Sequence, residues 1–87
     1  MKIVPVNRPG FHRTGCLEDI DVATITEVLG FAPNVNDDPD KVVNSWGFKI
    51  DDQDFGIWDY KGSHIRGAFS TYGSAKILSK LFPNNYF

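Results

Sequence analysis

The spacing of apolar residues predicts one helix before and one helix after a central sheet. The first helix covers residues 21–29, with Asp21 as N-cap, and its apolar stripe consists of Val22, Ile25, Val28 and Leu29. Gly30 followed by Phe31 is typical of a helix end in which the ring packs back on the last turn. The second helix covers residues 74–82, with Ser74 as N-cap, and ends before Pro83.

Between these helices the apolar period changes to two, which predicts a β-meander over residues 42–71. One face of the first strand carries Val42, Asn44, Trp46, Phe48 and Ile50. A turn at residues 51–54 leads to a second strand at residues 55–61, where Phe55, Ile57 and Asp59 alternate with Gly56, Trp58 and Tyr60. Gly62 and Ser63 then predict a turn into a third strand at residues 64–71.

Residues 1–20 show no clear period, and Pro5 limits the short β-prone run at residues 3–6 to an edge or an extended arm. The expected fold is therefore α+β, a three-stranded antiparallel β-meander flanked by two short amphipathic helices, with an extended N-terminal arm. We expect residues 1–87 to form a single domain whose helices cover one sheet face and leave the other partly open. Two rings, Tyr86 and Phe87, end the chain and must dock on the fold or meet a partner.

Charge and cysteine content narrow the function classes. The net charge of −2 gives no overall attraction to nucleic acid or to an anionic membrane. A single cysteine, Cys16, excludes an intramolecular disulfide and favours a reducing compartment. Because no signal-peptide stretch or membrane-length apolar run is found, the sequence predicts a soluble cytoplasmic protein.

The sequence predicts no metal and no cofactor. The acidic segment at residues 34–40 alternates oxygen-bearing side chains as calcium loops do, but it has Pro39 where the sharp-turn glycine belongs and Ser45 where the bidentate glutamate belongs. His12, Cys16 and His64 lack the repeated pair typical of zinc sites.

No catalytic residue is predicted either. Ser63, His64 and Asp59 have the residue types of a nucleophile, a base and an orienting acid. Adjacent serine and histidine side chains point in different directions, however, and no nucleophile-elbow pattern surrounds them.

Two segments are candidates for ligand binding. Residues 67–76 present a small polar loop before a helix, an arrangement that can hold an anion, although Ser74 can equally serve only as a cap. Rings and cations also lie close together around residues 58–66, as in sites that stack a base and hold a phosphate, although such rings can equally be sheet packing. The candidate ligand-binding residues are Trp58, Tyr60, Lys61, Arg66, Ser70, Thr71, Tyr72, Gly73 and Ser74.

Three strings in the sequence resemble a group of small, mostly uncharacterised bacteriophage-encoded proteins. They are Ser-Trp-Gly-Phe at 45–48, Gly-Ile-Trp-Asp-Tyr-Lys-Gly-Ser at 56–63 and Phe-Ser-Thr-Tyr-Gly at 69–73, preceded by Leu-Gly-Phe-x-Pro-Asn at 29–34. The resemblance covers about residues 21–87. It implies an accessory protein that inhibits a host enzyme, blocks a defence complex or sequesters a nucleotide signal in the host cytoplasm.

The leading hypothesis is a non-enzymatic accessory protein that binds and neutralises a host component in counter-defence. Its target is either a nucleotide-like ligand at the candidate ligand-binding residues, or a host protein met through exposed rings and the acidic loops at 37–40 and 51–54. The alternatives are a small hydrolase of nucleotide signals, which would use His64 or His12, and a structural or assembly subunit. An open sheet face or edge and the terminal rings also predict a homo-oligomer.

Overall fold

The computed structural model, which describes residues 2–8, 12–36 and 40–87, has an α+β fold with a five-stranded antiparallel sheet and two short helices. The strands are β1 (Val4–Pro5), β2 (Gly15–Leu17), β3 (Ser45–Ile50), β4 (Gln53–Trp58) and β5 (Phe69–Tyr72), and the helices are α1 (Val22–Leu29) and α2 (Ala75–Leu81). The order across the sheet is β1-β3-β4-β5-β2. Residue 11 and residues 37–39, which belong to the predicted arm and acidic loop, lie outside the described residues.

Both helices begin at the predicted caps. The side chain of Asp21 accepts from the Thr24 amide at 2.8 Å, and that of Ser74 accepts from the Ile77 amide at 3.4 Å. At the end of α1, Gly30 adopts φ 91° and donates its N–H to Thr26. These ends depend only on local sequence, which is why they could be predicted.

The meander is present, but its third strand was wrongly placed. The connection after β4 contains a 3₁₀ turn at Ser63–Arg66, and β5 covers only Phe69–Tyr72. The β-prone run around Ile65 is thus solvent-facing turn rather than strand. By contrast, β3 and β4 pair tightly through Trp46 with Ile57 and Phe48 with Phe55.

The prediction of three strands was also wrong because the N-terminal arm supplies two more. β1 pairs with β3 at one edge of the sheet, and β2 pairs with β5 at the other. Strands of two and three residues show no period in the sequence, and their partners are distant in the chain. The C-terminal tail lies along the free edge of β2, where Phe87 and Cys16 exchange two backbone hydrogen bonds.

One sheet face, the inner face, carries the core with both helices. Its largest fully buried side chains are Trp46, Phe48, Phe55, Phe69, Phe82, Leu17, Ile25, Ile50, Ile57 and Leu78. Phe48 and Phe55 stack at 5.2 Å between ring centroids, and Trp46 meets Phe69 edge-on at 6.0 Å. Of the two terminal rings, Tyr86 packs against this core and Phe87 stays exposed.

The opposite or outer face lies against the N-terminal segment and the chain after α1. A Cβ at Gly47 would collide with the Val6 carbonyl oxygen and with a Val35 methyl group, so only glycine fits this position. Beside it, the Asn34 side-chain amide bonds both backbone groups of Gly47 at 3.0 Å. The string at 29–34 therefore has a structural role, which is to end α1 and cover the edge of β3.

Within the described residues, no helix is long and apolar enough to cross a membrane.

Candidate functional site

Asp59 is a fully buried carboxylate that joins two connections at one end of the sheet. It follows β4 in line with Phe55 and Ile57, so the alternation of the strand aims its side chain at the inner face. Oδ1 accepts from the backbone amides of Val43 at 2.8 Å and Asn44 at 2.9 Å. Oδ2 accepts from the Asn44 side chain at 3.0 Å. A buried charge is tolerated only with such partners, so Asp59 fixes the chain that enters β3.

Backbone contacts hold the same two connections together. The Asp59 amide donates to the Asn44 carbonyl at 3.1 Å, and the Lys61 amide donates to the Lys41 carbonyl at 2.6 Å. Ser63 closes the turn after Asp59, since its hydroxyl accepts from the Tyr60 amide at 3.1 Å. Ser63 is buried and used in this bond, which is a structural role rather than that of a nucleophile.

His64 is the fourth polar group at this carboxylate. Its Nδ1 atom lies 2.5 Å from Oδ2 of Asp59, at ion-pair distance but without the direction of an ideal hydrogen bond. The His64 side chain is 28% exposed, so the imidazole is partly open to solvent. A buried acid that orients an imidazole in this way is found in general bases and in metal-bound histidines.

Exposed apolar side chains project from the two connections that Asp59 joins. Val43 is 68% exposed, Tyr60 is 44% exposed and Ile65 is 86% exposed. We call these three residues, together with Lys61, the loop-end surface. Lys61 has a left-handed backbone (φ 51°) and holds its ammonium 5.3 Å from the centroid of the Tyr60 ring. A lysine in this conformation is strained, and such strain concentrates at functional positions.

The residues predicted to bind a ligand do not form one site. Trp58 and Ser70 are directly opposed on the outer face of β4 and β5. Thr71 is fully buried on the inner face. Arg66 lies in a different cleft, of about 460 Å³, with Asp19 and Asp21 among its lining residues.

Two polar groups of the predicted anion loop before α2 already have hydrogen-bond partners within the fold. The Gly73 amide donates to the Thr14 hydroxyl at 3.2 Å, and Ser74 caps its own helix. The role of this loop in the fold therefore accounts for the Gly73 amide and the Ser74 hydroxyl. Ser74, Gly73 and Tyr72 nevertheless line a second cleft, which they share with His12.

Among the residues that the structure describes, no group of three or more His, Cys, Asp or Glu side chains could hold a metal ion. Asn34, a ligand candidate in the calcium interpretation, uses both ends of its amide on Gly47. Most of the acidic loop lies outside the described residues.

Sequence reasoning missed Val43, Asn44 and Ile65 as parts of this region. It also rejected a catalytic group of Ser63, His64 and Asp59, because the side chains of adjacent Ser63 and His64 point in different directions. The structure brings Asp59 and His64 together. One signal was present in the sequence: a carboxylate in register with Phe55 and Ile57 must be buried, and a buried carboxylate needs donors. Which donors these are depends on how the two connections fold, and no local pattern gives that.

Comparison of the chain with protein-family models, with curated protein sequences and with solved structures finds no match to any of them. The resemblance to phage accessory proteins therefore stays a prediction.

Proposed function

We propose that this protein is a non-enzymatic binding protein that attaches to a host protein through the loop-end surface and thereby neutralises it. This is the role that the resemblance to phage accessory proteins implies. One observation supports it above others: three exposed apolar side chains lie on connections that a buried carboxylate holds in place. Contact residues that are already ordered lose little conformational entropy on binding, so such a surface binds more tightly than a mobile one.

The shape of this surface favours a protein over a small molecule. Small ligands bind in concave pockets, whereas Val43, Tyr60 and Ile65 project outward. The clefts of about 460, 430 and 360 Å³ on the described part of the chain are lined by other residues. This surface also contains a tyrosine, one of the residue types enriched among those that dominate protein–protein binding energy.

The proposal can be tested with a photo-crosslinking amino acid placed at position 65 and, as a control, at position 4. Val4 is also an exposed apolar residue, but it lies on β1 at the far edge of the sheet. In host-cell lysate we expect a discrete crosslinked species from position 65 only. An excess of unlabelled wild-type protein should suppress it, and an excess of an Ile65→Asp variant should not. Equal crosslinking from both positions, or no effect of the wild-type competitor, would contradict the proposal.

A second candidate function is a small hydrolase of nucleotide signals, because the buried carboxylate of Asp59 lies 2.5 Å from Nδ1 of His64, whose side chain is 28% exposed. Catalysis would also require a cleft beside that imidazole. Incubation with a panel of nucleotides and cyclic dinucleotides tests this directly. Product that forms with the wild type and not with His64→Asn would establish the enzyme, whereas unchanged nucleotide would exclude it for the compounds tested.

Self-association and a role in assembly are further proposals. The edges of the sheet favour self-association less than the sequence implied. The C-terminal tail pairs with β2 at one edge, and β1 at the other edge is short and contains Pro5. Light scattering over a range of concentrations tests both, and a monomer at every concentration would contradict them. A cytoplasmic location likewise stays a prediction.

A further inference from the structure

The two edges of the sheet are protected in different ways. An edge strand presents backbone N–H and C=O groups that can pair with another chain. At one edge, β1 has only two residues, and one of them is Pro5, which has no N–H to donate. At the other edge, β2 contains no proline, so its protection depends on the C-terminal tail (residues 84–87) that lies beside it.

The tail bonds all four backbone polar groups of Cys16 and Glu18. The Cys16 amide donates to the Phe87 carbonyl at 3.0 Å, and the Cys16 carbonyl accepts from the Phe87 amide at 2.9 Å. The Glu18 amide donates to the Asn85 carbonyl at 2.9 Å, and the Glu18 carbonyl accepts from the Asn85 side-chain amide at 2.9 Å. The tail thus takes the place of a further strand, and these backbone groups are not available to another chain while it is bound.

The side chains of the tail hold it with different strength. Tyr86 packs against the core, and its ring lies over Gly15, where an added Cβ would collide with it. The Asn85 side-chain amide also donates to the Asp19 carbonyl at 3.1 Å. Phe87 is 67% exposed, so it holds β2 mainly through its backbone. The bonds of Asn85 and Phe87 involve no core side chain, and they can be removed while Tyr86 keeps its place.

The backbone groups under the tail match those of a second copy of the same strand. In a hydrogen-bonded antiparallel pair, two opposed residues exchange both N–H···O bonds, and their Cα atoms lie about 5.5 Å apart. Cys16 makes this exchange with Phe87 within one chain. Because both of its backbone groups face the same edge, Cys16 of one copy can make the same exchange with Cys16 of another. Such a pair has the two-fold symmetry that is commonest in homodimers.

From these bonds we infer that the tail is a releasable cover of the β2 edge, and that its release lets two copies of the chain pair antiparallel through β2, centred on Cys16. The sheets of the two copies then form one continuous sheet. No residue of this contact belongs to the loop-end surface, so the inference does not depend on the proposed function.

The first measurement is hydrogen exchange in a full-length double variant, Asn85→Ala with Phe87→Pro. It removes the two N–H donors that the tail offers to the carbonyls of Glu18 and Cys16. Phe87→Ala is the matched control, because it removes the same exposed ring and keeps the backbone N–H. In the double variant the Cys16 and Glu18 amides should exchange at least about tenfold faster than in the wild type, while β3 keeps its protection. Phe87→Ala should leave these rates close to those of the wild type.

The second measurement is crosslinking with a short bismaleimide, which is specific because Cys16 is the only cysteine of the chain. The two-fold pairing places the Cys16 residues of two copies side by side, within reach of the reagent. The double variant should form a crosslinked dimer at least about tenfold faster than the wild type and Phe87→Ala. Each rate is corrected for the rate at which a monofunctional maleimide modifies the same thiol. Addition of Cys16→Ser to the double variant should abolish the crosslink.

Two results would overturn the inference. One is a double variant in which the Cys16 and Glu18 amides exchange faster, but which gives no more crosslinked dimer than the wild type. The other is unchanged exchange of these amides, since the tail would then not be held by the bonds removed. A dimer detected by light scattering without the crosslink would also contradict it. The two copies would then meet elsewhere or exchange tails, and an exchanged tail keeps each Cys16 covered.

Discussion

The two connections on either side of β4 differ in what determines their shape. The connection from β3 to β4 is a two-residue turn, in which Asp51 and Asp52 both have left-handed backbones. The connection from β4 to β5 runs from Asp59 to residue 68, and it is organised by a buried carboxylate whose partners include residues that precede β3. The first depends on the backbone preferences of two residues, and the second depends on a contact between distant segments. The surface that we propose for binding lies on the connection of the second kind.

The largest expected effect is on the long connection. Asp59→Ala should lower the free energy of unfolding by about 3 to 5 kcal/mol, because it removes a fully buried carboxylate that accepts from the Val43 amide and from the amide and side chain of Asn44. Chemical denaturation followed by tryptophan fluorescence measures this change. Asp59→Asn is the control, since it keeps one carbonyl oxygen and should cost less than alanine. A loss below about 1 kcal/mol in Asp59→Ala would show that the connection does not depend on the carboxylate.

His64 contributes to the same connection from its exposed side. His64→Ala should destabilise the protein by about 1 to 2 kcal/mol, less than Asp59→Ala, because it removes an ion-pair contact while the three hydrogen bonds to the carboxylate remain. The same denaturation experiment measures the difference. If His64→Ala were the more damaging change, the imidazole rather than the acid would organise the connection.

The short turn should respond in the opposite direction. Replacement of Asp51 by Asn and Asp52 by Gly should stabilise the protein by about 0.5 to 1 kcal/mol, since Asn-Gly is the pair best suited to two left-handed positions in a hairpin. A higher midpoint of thermal unfolding would confirm this. An equal or lower midpoint would mean that the two aspartates make contacts that the turn geometry does not explain.

The smallest expected effect is at Asp21. Like the short turn at Asp51 and Asp52, this carboxylate acts only on neighbouring residues. The hydrogen bond from Thr24 lowers the pKa of Asp21 from its ordinary value of 3.8. A lowered pKa in the folded state means that the ionised cap stabilises the protein above about pH 4 and that this contribution is lost as the pH falls through the folded-state value. Thermal unfolding between pH 6 and pH 3 should therefore depend slightly less on pH in Asp21→Asn than in wild type, while stability at neutral pH stays nearly equal because asparagine is also a good N-cap. An identical pH dependence would contradict the assignment.

The distinction between local and long-range contacts explains which parts of the fold the sequence could predict. The caps at Asp21 and Ser74, the end of α1 at Gly30 and the pairing of β3 with β4 are set by neighbouring residues, and each was predicted. β1 and β2 were missed because two or three residues show no period and their pairing is set by partners far along the chain. Ile65 was assigned to a strand, but left-handed Gly62 and Gly67 and the backbone bond from the Ile65 amide to the Gly62 carbonyl place it in a 3₁₀ turn instead.

The candidate sites were harder to predict than the fold. Tyr60 and Lys61 were identified as binding candidates, and they lie on the loop-end surface. Val43 and Ile65 share that surface only because Asp59 joins their segments. The cleft beside Tyr72 likewise depends on the arm, which places His12 against that ring.

Hydrogen exchange at the amides of Val43 and Asn44 tests the central claim most directly, namely that Asp59 holds the loop-end surface in place. Both amides belong to a connection outside the sheet, and the Val43 side chain is largely exposed. If Asp59 holds them, both amides should exchange slowly in the wild type, comparably with β3, and in Asp59→Ala they should lose more of that protection than β3 does. Rapid exchange of both amides in the wild type would contradict the claim.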